Sequence, residues 1–153
     1  MVEVRKMNDG EFCHYRNFSF ENFISELAQS SGQTPEILKS KHSKMPDTPA
    51  ENDLWLVITN ERKNIGFIWI QLYPEKKEAF GFDIYLDGCS RSQGIGREVM
   101  RQCSSMIRTL GIEKIKVCVF EHNTIARKLY SSFGFTEKDH NPDRKQYTLE
   151  LTL

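Results

Sequence analysis

Hydrophobic and polar positions change period several times along this chain, and each change predicts an element. Val2-Glu3-Val4-Arg5-Lys6-Met7 alternates with period two, as a half-buried strand does, and Asn8 or Asp9 stands ready to cap a following helix. Between residues 11 and 30, Phe12, Tyr15, Phe18, Phe23, Ile24 and Leu27 fall roughly on helical spacing, and Ser31-Gly32 stops the run. Thr34-Pro35-Glu36 reads as a cap with proline in the first turn, opening a second short helix to about Lys41, and Pro46 and Pro49 mark a loop. Three apolar stretches, 54–59, 65–73 and 80–86, are separated by polar breaks and predict an antiparallel meander. Ile95, Val99, Cys103, Met106, Ile107 and Leu110 then recur at three- and four-residue steps before Gly111, which predicts a helix over 94–110 with one buried stripe. A buried strand over 115–120, a helix capped by Asn123 and ended by Gly134, and two strands near 135–138 and 147–153 complete the order. The predicted fold class is mixed α/β: one twisted, mostly antiparallel sheet flanked by helices on both faces.

The length of 153 residues suits one domain spanning 1–153 with one core. Lys plus Arg and Asp plus Glu both total 21, so the net charge is zero, and nucleic acid and anionic membranes are not expected partners. Apolar runs such as 54–58 and 65–70 are far shorter than the roughly 20 residues of a membrane span. The N-terminus lacks the continuous apolar segment of a secretory signal, so the expected location is cytoplasmic. Cys13, Cys89, Cys103 and Cys118 form no CxxC pair and read as reduced thiols, three of them within patterned segments where a small hydrophobe fits. His14, His42, His122 and His140 show no converging spacing, and no metal is expected.

Arg91-Ser92-Gln93-Gly94-Ile95-Gly96 lies between a predicted strand and the start of the strongest helix. The first turn of a helix leaves N–H groups unpaired at the positive end of its dipole, where a phosphate finds several donors at once. Glycine at 94 and 96 leaves the backbone open to a pyrophosphate, and Arg91 adds a charge-assisted contact. A Walker loop would need Lys-Ser or Lys-Thr after Gly96, where Arg97-Glu98 stands. A dinucleotide fingerprint would need a third glycine where Val99 stands, and a parallel unit in place of the meander. A glycine loop that binds nothing is the plain alternative.

The segment 120–135 sharpens the picture: Asn123 just after a strand, Ala126 three residues on, Tyr130 seven on, and a closing Gly134-Phe135. Together with Arg91-x-x-Gly94-x-Gly96 it resembles the GNAT superfamily of acetyl-CoA-dependent N-acetyltransferases, over about 80–135. The resemblance implies the GNAT acyl-CoA N-acyltransferase fold and direct transfer of acetyl from acetyl-CoA to a primary amine. It assigns Arg91, Ser92, Gln93, Gly94, Ile95 and Gly96 to the pyrophosphate loop, Asn123 to cofactor contact, and Tyr130 to protonation of the departing thiolate. It also implies main-chain contacts from Ile84, Tyr85 and Leu86 to the pantetheine arm, a splay of this strand from the next between Leu86 and Val117, and a homodimer. Cys89-Ser90 and Gln93 depart from the family pattern, where Pro with an aromatic, and Lys or Arg, are frequent. Ala126 and Tyr130 are four apart and share a helix face, so a small residue at 126 leaves room beside the phenol. A phenol of pKa about 10 stays protonated at neutral pH and is a plausible acid for a thiolate.

Asp83 is the candidate general base, because a carboxylate flanked by Phe82 and Ile84 in a strand needs a reason; Glu121 and His122 are rivals, and an interior salt bridge is the alternative. Strict alternation would put Phe80, Phe82, Ile84 and Leu86 on the face opposite Asp83 unless a bulge intervenes. The N-terminal helices, with their aromatic residues, and the Lys41 to Lys44 patch would shape the acceptor end, taking a small-molecule or peptide amine. Glu11, Glu21 and Glu26 are too dispersed along the sequence to predict an acidic pocket. A coenzyme A-sensing module that transfers nothing, and a dinucleotide-binding protein, are the readings from other classes.

Overall fold

The alternation at the N-terminus forms β1 (Val2–Lys6), and the meander forms β2 (Asp53–Asn60), β3 (Lys63–Tyr73) and β4 (Glu78–Leu86). The later strands are β5 (Lys114–Phe120), β6 (Thr136–Asn141) and β7 (Gln146–Thr152), and the helices are α1 (Asp9–Ser31), α2 (Pro35–Lys41), α3 (Ile95–Thr109) and α4 (Thr124–Phe133). These elements come from a computed structural model that describes residues 1–42 and 47–153, the side chain of Phe82 excepted. Lys44 and Pro46, named above, lie outside the described residues. The strands make one sheet in the order β1-β2-β3-β4-β5-β7-β6. Neighbours run antiparallel except β4 and β5, which α3 joins as a parallel crossover. The expected mixed, mostly antiparallel sheet between helices is what forms.

Helix α1 starts at a capping box: the Asn8 side chain accepts from Glu11 N–H at 2.8 Å, and the Glu11 carboxylate accepts from Asn8 N–H at 3.0 Å. Arg5 forks onto the same carboxylate, and that bond is the main cause holding Glu11 down to about 2. Gly32, at φ 75°, ends the helix in the left-handed region. Phe12, Tyr15 and Ile24 are buried as the spacing predicts, but Phe23 turns out to solvent edge-on to His42.

The sheet buries both faces. On one, Val99, Cys103 and Ile107 of α3 pack with Ile68, Ile70 and Val117. On the other, Phe12 and Tyr15 of α1 pack with Trp55, Val57 and Phe67. All four cysteines are free, but only Cys103 is buried, its thiol pushed up to about 12 by burial. Cys13, Cys89 and Cys118 are exposed, so only one of the cysteines, not three, fills an apolar gap. No described helix is long and apolar enough to cross a membrane.

Two irregularities in β4 position the site. Trp69 pairs with Asp83 while Ile70 pairs with Gly81, so Phe82 is an extra residue that bulges β4. The bulge corrects the simple alternation. Phe80 shares a face with Asp83 and Tyr85 toward α1, while Ile84 and Leu86 share the α3 face with Ala79 and Gly81. Just there the parallel ladder stops: β4 meets β5 from Glu78↔Lys114 to Gly81↔Val117, and among the described residues no pairing joins 83–86 to 118–120. Glycine at 81 permits the last contact, since a Cβ there would lie 2.9 Å from Val117 Cγ1. Beyond it β5 stays paired with β7 as far as Phe120. The two strands therefore part at Val117.

Candidate active site

A short 3-10 turn, Gly88–Ser90, follows β4 and delivers the chain to α3. Ser92 takes φ 61° and Gly94, at the N-cap, takes φ 76°. Gly94 has no side chain to cap the helix, so the amides of Ile95, Gly96 and Arg97 stand ahead of the first intrahelical bond, Glu98 N–H to Gly94 C=O at 3.3 Å. The Gln93 side chain, at a position where a basic residue is frequent in the resembled family, donates instead to the Cys89 carbonyl at 2.7 Å and ties the loop to itself. The Cβ direction of Gly96 points at Leu129 of α4, 3.2 Å away, so its smallness lets α3 and α4 approach. Space around Gly94 is open, and its demand is conformational. Gly94→Val is accordingly expected to destabilise the protein by about 1–2 kcal/mol through φ alone. A thermal melt checks this.

Arg91 places its guanidinium 5.5 Å from the Tyr85 ring centroid and donates Nε–H to the Leu86 carbonyl at 2.9 Å. A guanidinium carries five N–H donors, and among the described residues no further hydrogen bond from Arg91 engages the other four. Asn123 caps α4: its Oδ1 accepts from Ala126 N–H at 3.1 Å, and its Nδ2 donates to Glu26 Oε1 at 3.4 Å. That second bond reaches α1 across the parted strands. Ile84, Tyr85, Leu86, Arg91, Asn123 and Ala126, all predicted from sequence, converge on one cleft of about 290 Å³. Ser92, Gln93 and the N-cap Gly94 in the adjoining loop, and Ile95 and Gly96 in the first turn of α3, lie outside this lining. Asp83 and Tyr130 are not part of the lining either.

Tyr130 is 7% exposed, packed on Phe135 at 5.2 Å between ring centroids. Burial, and then the charges of Asp83 and Glu26, hold its phenol above the ordinary range, so it is protonated at neutral pH. Asp83 accepts a 2.7 Å hydrogen bond from the Ser19 hydroxyl of α1, and no ion pair engages it among the described residues. The alternative of an interior salt bridge is thus replaced by a neutral donor. Burial pushes Asp83 up to about 6 against the Ser19 bond. Of its rivals, Glu121 is bonded to His140 of β6, whereas His122 lines the cleft and stacks on Phe120.

Glu26 is the residue that reading the sequence missed. It lines the cleft with Asn22 and Gln29, and burial followed by the charge of Asp83 pushes it up to about 7. Its signal was periodic: Ser19, Asn22, Glu26 and Gln29 recur at steps of three, four and three, a polar stripe on α1 facing the parted strands. The glutamates dispersed in sequence do not gather, and Glu26 alone of the three reaches the site.

A profile of the acetyltransferase (GNAT) family matches residues 20–135. An uncharacterized N-acetyltransferase, YycN, of Bacillus subtilis (strain 168) is 32% identical over 148 residues, covering 90% of this chain and 94% of that one. A second from the same organism, YdgE, is 25% identical over 141 residues, 86% of this chain and 90% of its own. The crystal structure of YycN superposes with a TM-score of 0.80 at 25% identity, over 92% of this chain and 96% of that chain. The PaiA N-acetyltransferase of Thermoplasma acidophilum, solved in complex with coenzyme A, shares the fold with a TM-score of 0.73 at 17% identity, over 100% and 99%.

Proposed function

The chain belongs to the acetyltransferase (GNAT) family and is an acyltransferase, and we propose that it transfers acetyl directly from acetyl-CoA to a primary amine of a small molecule or peptide. The observation that carries this reading is the parting of β4 from β5 after Gly81 and Val117, with the open first turn of α3 on one side and the N-terminus of α4 on the other. The main-chain groups of residues 84–86, free of a β5 partner, suit the amides of a pantetheine arm and the oxyanion of a tetrahedral intermediate. The uncapped amides of Ile95, Gly96 and Arg97, with the Arg91 side chain, suit its pyrophosphate. The coenzyme A complex of the PaiA relative supports the same cosubstrate.

In this mechanism the amine nitrogen attacks the thioester carbonyl, the intermediate collapses, and Tyr130 protonates the leaving thiolate. The buried phenol is reliably protonated, and the neighbouring carboxylates weaken its drive to donate, so its effect depends on the thiolate forming beside it. The proton that the ammonium must lose passes to the carboxylates between α1 and β4, of which Asp83 is the one proposed from sequence. One domain over 1–153 carries both substrates, and the family habit of pairing suggests a homodimer. Thiol release from acetyl-CoA across a library of primary amines tests the reading. Turnover with at least one amine is expected; tight acetyl-CoA binding with none would instead make the protein a sensor.

A further inference from the structure

Two carboxylates lie near the parted strands, and they differ in what they face. Asp83 is bonded to Ser19 of α1 and is not part of the cleft lining. Glu26 lines the cleft itself, and its described hydrogen bond comes from a neutral donor, Asn123, at the N-terminus of α4. Around it stand Asp83 from β4 and Tyr130 from α4, and the other ionisable groups lining the cleft are Arg91, Tyr85 and His122. No ion pair engages Glu26 among the described residues. A half-buried carboxylate that lines a cleft, feels the charge of a second carboxylate and has no cation of its own has lost water without gaining a counter-charge. A cation entering the cleft supplies one.

Resting on the acetyl-transfer reading, we propose that Glu26 receives the acceptor, a cationic primary amine, and removes its proton, with Asp83 as a positioning residue acting through it. The ammonium gives one proton to Glu26, and the freed lone pair forms the C–N bond at the acyl carbon. Collapse breaks the C–S bond as Tyr130 protonates sulfur, the second N–H proton returns to the Tyr130 oxygen, and the Glu26 proton leaves to water. Because the charge of Asp83 acts on Glu26, the two carboxyls titrate as a coupled pair. The values of about 7 for Glu26 and about 6 for Asp83 place both transitions near neutral pH, where a base for an ammonium is useful.

The test uses 1,4-diaminobutane, n-butylamine and a lysine-containing tripeptide as acceptors, with thiol release followed from pH 5 to 9. The native chain is expected to gain kcat/KM through a rising limb near pH 7 with at least one acceptor. Glu26→Gln, which preserves an amide oxygen for Asn123, is expected to lower kcat/KM at least about tenfold and to abolish that limb, with acetyl-CoA affinity unchanged. Glu26→Asp is expected to recover part of the rate, and Asp83→Asn, by removing a like charge, to move the limb to lower pH. Carbon-13 NMR of the Glu26 carboxyl gives a readout independent of the acceptor: titration near 7, falling in Asp83→Asn. An unchanged limb in Glu26→Gln, or a Glu26 carboxyl titrating in the ordinary range near 4, overturns the proposal while leaving acetyl transfer standing. No thiol release by the native chain with any of the three amines overturns this proposal, and where mixing with acetyl-CoA also gives no heat the acetyl-transfer reading falls with it.

Discussion

Tyr130→Phe is expected to lower kcat for acetyl transfer by about 10²-fold or more, the usual contribution of a positioned general acid. The dissociation constant for acetyl-CoA is expected to stay within about twofold, because in the proposed mechanism the phenol meets only the leaving sulfur, while the phosphates are proposed to rest on the first turn of α3. The substitution removes one oxygen from a ring that packs on Phe135, and the ring itself stays buried, so the fold is expected to persist. Steady-state kinetics with calorimetric titration of acetyl-CoA separates the two effects. Unchanged turnover would remove Tyr130 from the chemistry and leave it as a buried helix residue.

The largest stability effect is expected at Gly66. A Cβ built there would lie 2.0 Å from the Tyr85 carbonyl oxygen and 3.1 Å from Leu86 Cα, and both are backbone atoms of the adjoining strand. No rotamer relieves such a contact, so β3 and β4 must separate. Gly66→Ala is expected to destabilise the protein by about 3 kcal/mol or more, the upper part of the range for overpacking. Its melting temperature should fall by roughly 6–12 °C for a chain of this size. Because Gly66 pairs with Leu86, and Tyr85 and Leu86 line the cleft, the variant is expected also to weaken acetyl-CoA binding. Gly88→Ala is the control: nothing lies within 4 Å of its Cβ position and its φ is not positive, so its effect is expected within about 0.5 kcal/mol.

Most of the architecture was legible because period and punctuation agreed. Thr34-Pro35 opened α2, Gly111 followed α3, and Asn123 and Gly134 bracketed α4, each for a local reason of capping or left-handed backbone. The loop before α3 and the residues of α4 were legible for the same reason, as neighbours in sequence. Illegible parts depended on contacts between distant segments. The bulge at Phe82 re-aims Phe80 and appears only when β4 is laid against β3. The demand for glycine at 66 exists only because Tyr85 crosses it, and Gly96 is small on account of Leu129. Glu26 sits 57 residues before Asp83 and 97 before Asn123, and the parted strands bring the three together. Its periodic partners Ser19, Asn22 and Gln29 were readable as a polar stripe, but what that stripe faced was not.

In the proposed function acetyl-CoA lies between β4 and β5 with its phosphates on the first turn of α3. Amide chemical shifts of the isotopically labelled protein, followed as acetyl-CoA is added, test this most directly. The largest changes are expected at Gly94, Ile95, Gly96 and Arg97 and at Ile84, Tyr85 and Leu86. Changes confined to the second cleft, formed by Arg127, Lys128, Glu137 and Tyr147 on the far side of α4, would contradict it, as would no change at all.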